Sequence, residues 1–356
     1  MIPRFLSPHG AMAMVLLGTV LLTVPVLAAD HAVILQYHHV ADDTPASTST
    51  RVDLFIQQLD YLAEKGFKVA PLGPTLAALE AGEGIADSTV CITFDDAFPS
   101  VGTTAWPLVR DRGWPMTLFV STGMVDDRLP SVMSWDEIKQ AVAEGMTVGL
   151  HGVDHDYLAR PVAGEDALQR RARLEKVVRV SGERLVAEVG STAVLPIFVY
   201  PFGEFDEVLA EVVRAAGLVG LAQQSGPAWT QGDWASVPRY PMGGPYGSME
   251  SFGLKVASLP LPVVVARPES MILSSRTPSL ELSIELGTGQ WKSTQVSVYF
   301  SGDRLDPRWD GSTLAVDVPT PLPLGRSRIN ITAPVGTTGR WYWYSHPWLV
   351  LEDDTP

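Results

Sequence analysis

The chain has 356 residues, 46% of them apolar and 19% charged, with 31 Gly and 28 Pro. That is a globular composition; it excludes a disordered chain, a coiled coil and a collagen-like repeat, and the length allows one large core plus a smaller one. The balance of 26 basic against 40 acidic residues gives a net charge of −14, which argues against a nucleic-acid partner.

Residues 1–29 stand apart. Arg4 is their only charge, and a Leu- and Val-rich run from Ala11 to Ala29 is broken by Gly18 and Pro25 and ends in small residues. This pattern predicts a secretory signal peptide, with a membrane anchor as the alternative. On the first reading the mature chain is exported, to the periplasm or beyond the cell, and keeps no integral membrane span. Cys91 is the only cysteine, so no intramolecular disulfide can form. An exported chain without one suits a bacterial periplasm better than a disulfide-stapled scaffold.

Residues 32–37 read as a strand that leads into His38 and His39. Val52, Phe55, Leu59 and Leu62 recur at helical spacing up to Gly66. A short strand at 67–70 and a helix near 74–81 follow. Val90 to Phe94 is a buried-type strand that runs into Asp95 and Asp96. Helix 101–112, strand 116–120, helix 135–144 and strand 146–150 come next, the last running into His151. A long charged helix covers 165–188. Strand 195–200 ends at Pro201 and Gly203, helix 206–216 follows, and a strand at 218–222 closes the series. Strands alternating with helices predict βαβ units and a parallel sheet, and the polar candidates fall at the C-terminal ends of strands, where parallel α/β barrels build their active sites. Past the Pro-rich join at 259–268 the texture changes to short alternating runs with frequent turns, which predicts a small β-sandwich. The expected organisation is therefore a signal peptide over 1–29, an α/β domain over 30–259 and an all-β domain over 260–356.

Three short motifs carry chemistry. In Thr93-Phe94-Asp95-Asp96, adjacent carboxylates at a strand end point in different directions, so one can bind a cation while the other faces a substrate; an Asp pair at a turn is the plain alternative. In His151-Gly152-Val153-Asp154-His155 the imidazoles are four apart, and on a helical backbone they would share a face. With one carboxylate they make a two-His, one-carboxylate metal site with open positions. In Tyr200-Pro201-Phe202-Gly203, Pro and Gly force a tight turn that can present N–H groups to an oxyanion. Trp229 and Trp234, if exposed, could stack on sugar rings; packing in a loop is the plainer reading. Trp341-Tyr342-Trp343-Tyr344, on a strand, would put the two Trp on one face and the two Tyr on the other.

Together the three motifs resemble the polysaccharide deacetylase family, carbohydrate esterase family 4, over about residues 32–250. The family's Thr-Phe-Asp-Asp-Gly is matched up to Ala97, its His-Ser/Thr-x-x-His by His151 to His155, and its Pro-Tyr/Phe-Gly by Pro201 to Gly203. Ala97 stands for the usual Gly, Leu150 for a small polar residue, and Asp156 for a Pro. The usual Arg of the third motif is missing, and so is the C-terminal motif that normally supplies an acid His. Leu35-Gln36-Tyr37-His38-His39-Val40 is similar to the opening of the poly-β-1,6-N-acetylglucosamine deacetylase subgroup, in which the acid His comes from the first strand.

The resemblance implies a distorted (β/α) barrel and a hydrolase acting on linear amides, an N-deacetylase of an N-acetylated polysaccharide such as poly-β-1,6-N-acetylglucosamine. Asp96, His151 and His155 would hold one divalent metal ion, zinc first, with nickel, cobalt or iron as alternatives. Asp95 would be the general base, His38 the acid and the Phe202 N–H the oxyanion donor. Arg239 would replace the missing Arg beside Asp95, and Tyr200, Trp229 and Trp234 would contact the glycan. An exopolysaccharide export system is the implied partner. The alternatives are another acylated amino sugar (peptidoglycan, a chitin oligomer or a lipid-linked sugar) and an inactive glycan-binding protein.

Overall fold

The computed structural model describes residues 28–267, 271–273, 276, 280–319 and 321–351. The expected signal peptide lies, apart from Ala28 and Ala29, outside the described residues.

The first lobe is a ring of parallel strands: β1 (His31–Tyr37), β2 (Thr89–Phe94), β3 (Thr117–Val120), β4 (Thr147–Leu150), β5 (Val194–Val199) and β6 (Val219–Leu221), each paired in parallel with the next. The ring closes through β7 (Tyr240–Pro241), which pairs in parallel with Leu35 and Gln36 of β1, and through Val237, which bridges Leu221 of β6. Parallel neighbours require crossovers, and the helices supply them. They include α1 (Val52–Glu64), α2 (Leu72–Glu80), α3 (Trp106–Arg110), α4 (Thr122–Asp126), α5 (Trp135–Ala143), α6 (Ala167–Val189) and α7 (Glu207–Ala215); α8 (Met249–Val256) leads out of the lobe. Where a single helix over 101–112 is expected, Val101–Ala105 is wound as a π-turn before α3. Pro107 has no N–H to continue the regular ladder there.

Strand alternation sorts the core into two layers. Val33, Leu35 and Tyr37 pack outward under the helices, whereas Ala32, Ile34, Cys91, Phe119, Ile197 and Val199 join a separate cluster inside the ring. Leu72, Leu76 and Leu79 of α2 belong to the inner cluster, and a Cβ on Gly73 would press on Leu195 at the start of β5. Helix α2 therefore plugs the N-terminal end of the barrel and leaves the C-terminal end as the mouth.

The second lobe is a sandwich of two sheets. One runs Leu259–Pro260, β15 (Trp341–Val350), β14 (Gly325–Pro334), β10 (Ser297–Phe300), β11 (Asp303–Leu305). The other runs β8 (Val263–Arg267), β9 (Leu280–Leu286), β13 (Thr313–Val318), β12 (Arg308–Asp310). Its core holds Ile284, Val298, Leu314, Ile329, Ile331 and Trp348. In β15, Tyr342 and Tyr344 pack on this core while Trp343 packs on the barrel's.

Candidate active site

The mouth collects one polar group after another from the ends of the strands. Asp95 and Asp96 follow β2, and Asp95 N donates to Tyr37 O across the end of β1. Asp95 and Arg239 are each 0% exposed. Arg239 donates from Nη1 to Asp95 Oδ1 and from Nη2 to Oδ2, both at 2.8 Å, and from Nε to Ala222 O at 3.0 Å. Gln36 of β1 adds Nε2 to Asp95 Oδ2 at 2.7 Å. Burial works against ionising Asp95, but the guanidinium overrides it and holds the carboxyl below its ordinary range. The planar fork fixes the orientation of the carboxylate as well as its charge.

Asp96 turns the other way. Its Oδ1 is 3.1 Å from His151 Nε2 and 3.2 Å from His155 Nε2, and one ligand atom from each residue lies within 4.8 Å of the others. His151 Nδ1 is 2.8 Å from Val199 O, a carbonyl that can only accept, so Nδ1 carries the proton and the neutral ring shows Asp96 a bare Nε2. Asp96 Oδ1 and His151 Nε2 are buried without a hydrogen-bond partner. Two acceptors facing each other at that distance need a proton or a cation between them, and a donor set of two imidazole nitrogens and one carboxylate oxygen fits a divalent transition metal. Burial opposes ionisation of Asp96 as well, but the two imidazoles hold its carboxyl well below the usual range. Burial alone would keep His151 neutral, yet Asp96 draws its pKa upward, another sign that positive charge belongs between the pair.

The two histidines do not converge on a helix. Residues 151–156 are irregular, with Gly152 at φ 78° and His155 at φ 56°. These two left-handed residues fold the loop back, so the four-residue spacing works through a turn rather than through helical periodicity. Asp96 at φ 70° and Ala97 at φ 52° are also left-handed, and Ala97 stands where the related motif has glycine. Residues Pro201–Gly203 form the expected tight turn, with Phe202 at φ 57° and Gly203 at φ 68°. The Phe202 ring meets His155 edge-on at 4.3 Å and stacks on Tyr157 at 3.8 Å, with the Arg160 guanidinium 3.9 Å beyond.

His38 follows β1 and lines the same cavity, with Nε2 4.0 Å from Asp95 Oδ2. Burial lowers its pKa, opposed by Asp95 and Asp96. His39 instead stacks on Phe98 at 3.7 Å. The cavity, about 460 Å³, is also lined by Asp96, His155, Tyr157, Phe202 and Tyr246.

Three expected glycan contacts are corrected. Tyr200 is fully buried and donates its hydroxyl to Ala235 O at 2.6 Å, so it packs behind the turn. Trp229 pairs opposite His31, at the start of β1, and lines a different cavity with Trp343. Trp234 packs against the inner cluster plugged by α2. Loop position alone did not reveal which rings reach the mouth. Sequence reasoning also missed Gln36. It is the one polar side chain in the run Ala32 to Tyr37 and has the parity of His38, a signal that could have found it.

Buried carboxylates and imidazoles gather at the C-terminal mouth of a parallel barrel, and the comparisons give the site a class. Residues 83–221 match the polysaccharide deacetylase family. IcaB from Ammonifex degensii is 26% identical at a TM-score of 0.55, over 65% of this chain and 97% of that one. The Streptococcus pyogenes deacetylase PplD, in complex with acetate, is 21% identical at 0.56, over 64% and 98%. The BpsB deacetylase domain from Bordetella bronchiseptica is 20% identical at 0.50, over 60% and 96%. No curated protein matches the chain. Residues 83–221 are thus a polysaccharide deacetylase domain by this match, and the chain is a hydrolase acting on amides. Among the described residues no helix is long and apolar enough to cross a membrane.

Proposed function

We propose that the chain is an exported, metal-dependent N-deacetylase of an N-acetylglucosamine polymer, with the β-1,6-linked polymer as the first candidate. The observation that carries this reading is the pair of facing acceptors, Asp96 Oδ1 and His151 Nε2, beside a carboxylate held ionised by Arg239. The β-1,6 linkage is supported by the Leu35–Val40 motif, and export by the composition of residues 1–29.

Asp96, His151 and His155 would hold the cation, with zinc the first choice and nickel, cobalt or iron alternatives. When bound, it supplies Lewis acidity, acidifying a water and polarising the amide carbonyl. The chain's own residues do the rest. Asp95 accepts the proton of the attacking water, and Arg239 and Gln36 hold its carboxylate in place, acting as positioning residues. The Phe202 N–H donates to the oxyanion that forms as water adds to the carbonyl carbon. His38 donates a proton from Nε2 to the sugar nitrogen as the C–N bond breaks, leaving acetate and a free amine. An amide nitrogen leaves poorly unless it is protonated, so the acid is required.

The test is acetate release from β-1,6 and β-1,4 N-acetylglucosamine oligomers, before and after chelation, alongside metal content. Asp95→Asn should cut turnover about 10³-fold with metal content unchanged. Near wild-type turnover in that variant would remove Asp95 from the mechanism. Acetate release that survives complete metal removal would defeat the metal-dependent reading. Cell fractionation with N-terminal sequencing of the mature chain checks the export.

A further inference from the structure

The cavity at the mouth does not end on the barrel. Arg326 and Arg328 of β14 line it together with Gln223 and Tyr246, and the same four residues line a second cavity of about 700 Å³ that continues over the sandwich past Ser301 and Asn330. Positions 326 and 328 are two apart on one strand, so they share a face. Arg326 crosses to the barrel: its Nη1 donates to Gln223 Oε1 at 2.8 Å and lies where a Cβ on Gly203 would sit. Gly203 is favoured by its positive φ, and a Cβ there would also press on the Gln223 Cβ. The Arg328 guanidinium rests 5.5 Å from the centre of the Tyr246 ring.

Among the described residues neither arginine has a carboxylate partner. Glu204, in the same cavity, is committed to Arg160 through bonds of 2.9 and 2.8 Å. Lys255, a third cation near Tyr246, gives its ammonium to Tyr246 O. Two guanidiniums with no carboxylate hydrogen-bonded to them share one cavity in a chain of net charge −14.

We propose that Arg326 and Arg328 form an anion subsite that the sandwich adds to the cleft, and that the glycan taken by this chain carries a carboxylate or phosphate on a sugar outside the one being deacetylated. This rests on the deacetylase reading only for where the reacting sugar sits. A guanidinium fork suits either oxyanion, so the two sources share one recognition chemistry.

The full chain, stripped of metal, is titrated with an N-acetylglucosamine oligomer in neutral, carboxymethylated and phosphorylated forms, and acetate release from the same three is measured on the metal-loaded chain. An anionic form should bind about tenfold more tightly than the neutral one at low salt, and whichever form does so identifies the source. The advantage should vanish at high salt and in the Arg326→Gln/Arg328→Gln double variant, and should largely persist when both are changed to Lys. Equal binding of all three forms by the native chain would overturn the proposal. So would a folded double variant that keeps the preference. Should the double variant fail to fold, the single variants and the salt titration decide, and a preference that survives high salt overturns the proposal. A native chain that prefers an anionic oligomer yet releases no acetate from any form would defeat the hydrolase mechanism and leave the subsite standing.

Discussion

Around the barrel mouth, Asp96, Ala97, His155 and Phe202 all hold a left-handed backbone without being glycine; among the described sandwich residues only Ser301 does, beside Gly302 in a hairpin turn. Each such residue costs on the order of 1 kcal/mol. The mouth also keeps Asp95, Arg239 and Gln36 almost fully out of water, whereas the polar residues buried among the described part of the sandwich are Thr332, Ser345 and His346. One lobe accepts strain and buried charge to aim side chains at a cavity, and the other spends its sequence on alternation and packing. Ser88, at the opposite end of β2 from the mouth, is left-handed as well, so the buried charge marks the mouth more sharply than the strain.

The sharpest way to break that contrast is to unpair the buried charge. Arg239→Met should remove about 3–5 kcal/mol of stability, because Asp95 would stay buried without its counter-ion. Asp95 sits below its ordinary value in the native chain, so its contribution is full above its unfolded pKa of about 3.9 and fades as pH falls through the folded value. The gap between variant and native chain should therefore be widest near neutral pH and shrink on acidification. Denaturant unfolding at a series of pH values measures it, and a pH-independent gap would show that packing alone was lost. In the sandwich, Trp348→Ala should cost a similar 3–5 kcal/mol through cavity formation, while the metal affinity of the folded chain stays within about twofold. Loss of metal binding in that variant would mean the lobes are less distinct than their cores suggest. His38→Gln should lower turnover about 10²-fold at unchanged metal content, and an inert substitution would point to another acid. The smallest effect sharpens the strain argument: Ala97→Gly should stabilise the chain by about 1 kcal/mol, read as a rise in the denaturation midpoint.

Much of this site was legible because parallel strands deliver polar residues to one end. Asp96, His151 and His155 could be grouped from motif spacing, although the path joining the histidines is a left-handed turn and not a helix. Arg239 was placed beside Asp95 only through resemblance, since nothing local in Val237–Pro241 announces a partner 144 residues away. Tyr200, Trp229 and Trp234 were misplaced for a related reason: whether an aromatic ring near a strand end faces the mouth, the floor or a neighbouring loop depends on how the ring of strands closes. Arg326 and Arg328 were invisible because an alternating strand in a second lobe gives no hint of which face meets the first.

The short strand Tyr240–Pro241 acts as the last stave of the barrel, and it is braced from outside. Its Tyr240 ring meets Trp343 at 5.4 Å, Leu259–Pro260 runs alongside Tyr342 and Trp343, and Arg340 reaches back to Asp87 and to Ala257 O. The residue just before the stave is Arg239, so the hoop that carries the counter-ion of Asp95 is tightened by the neighbouring lobe. Cutting the chain near residue 258 would slacken that hoop: the shortened barrel should keep Asp96, His151 and His155 together but lose its grip on Asp95.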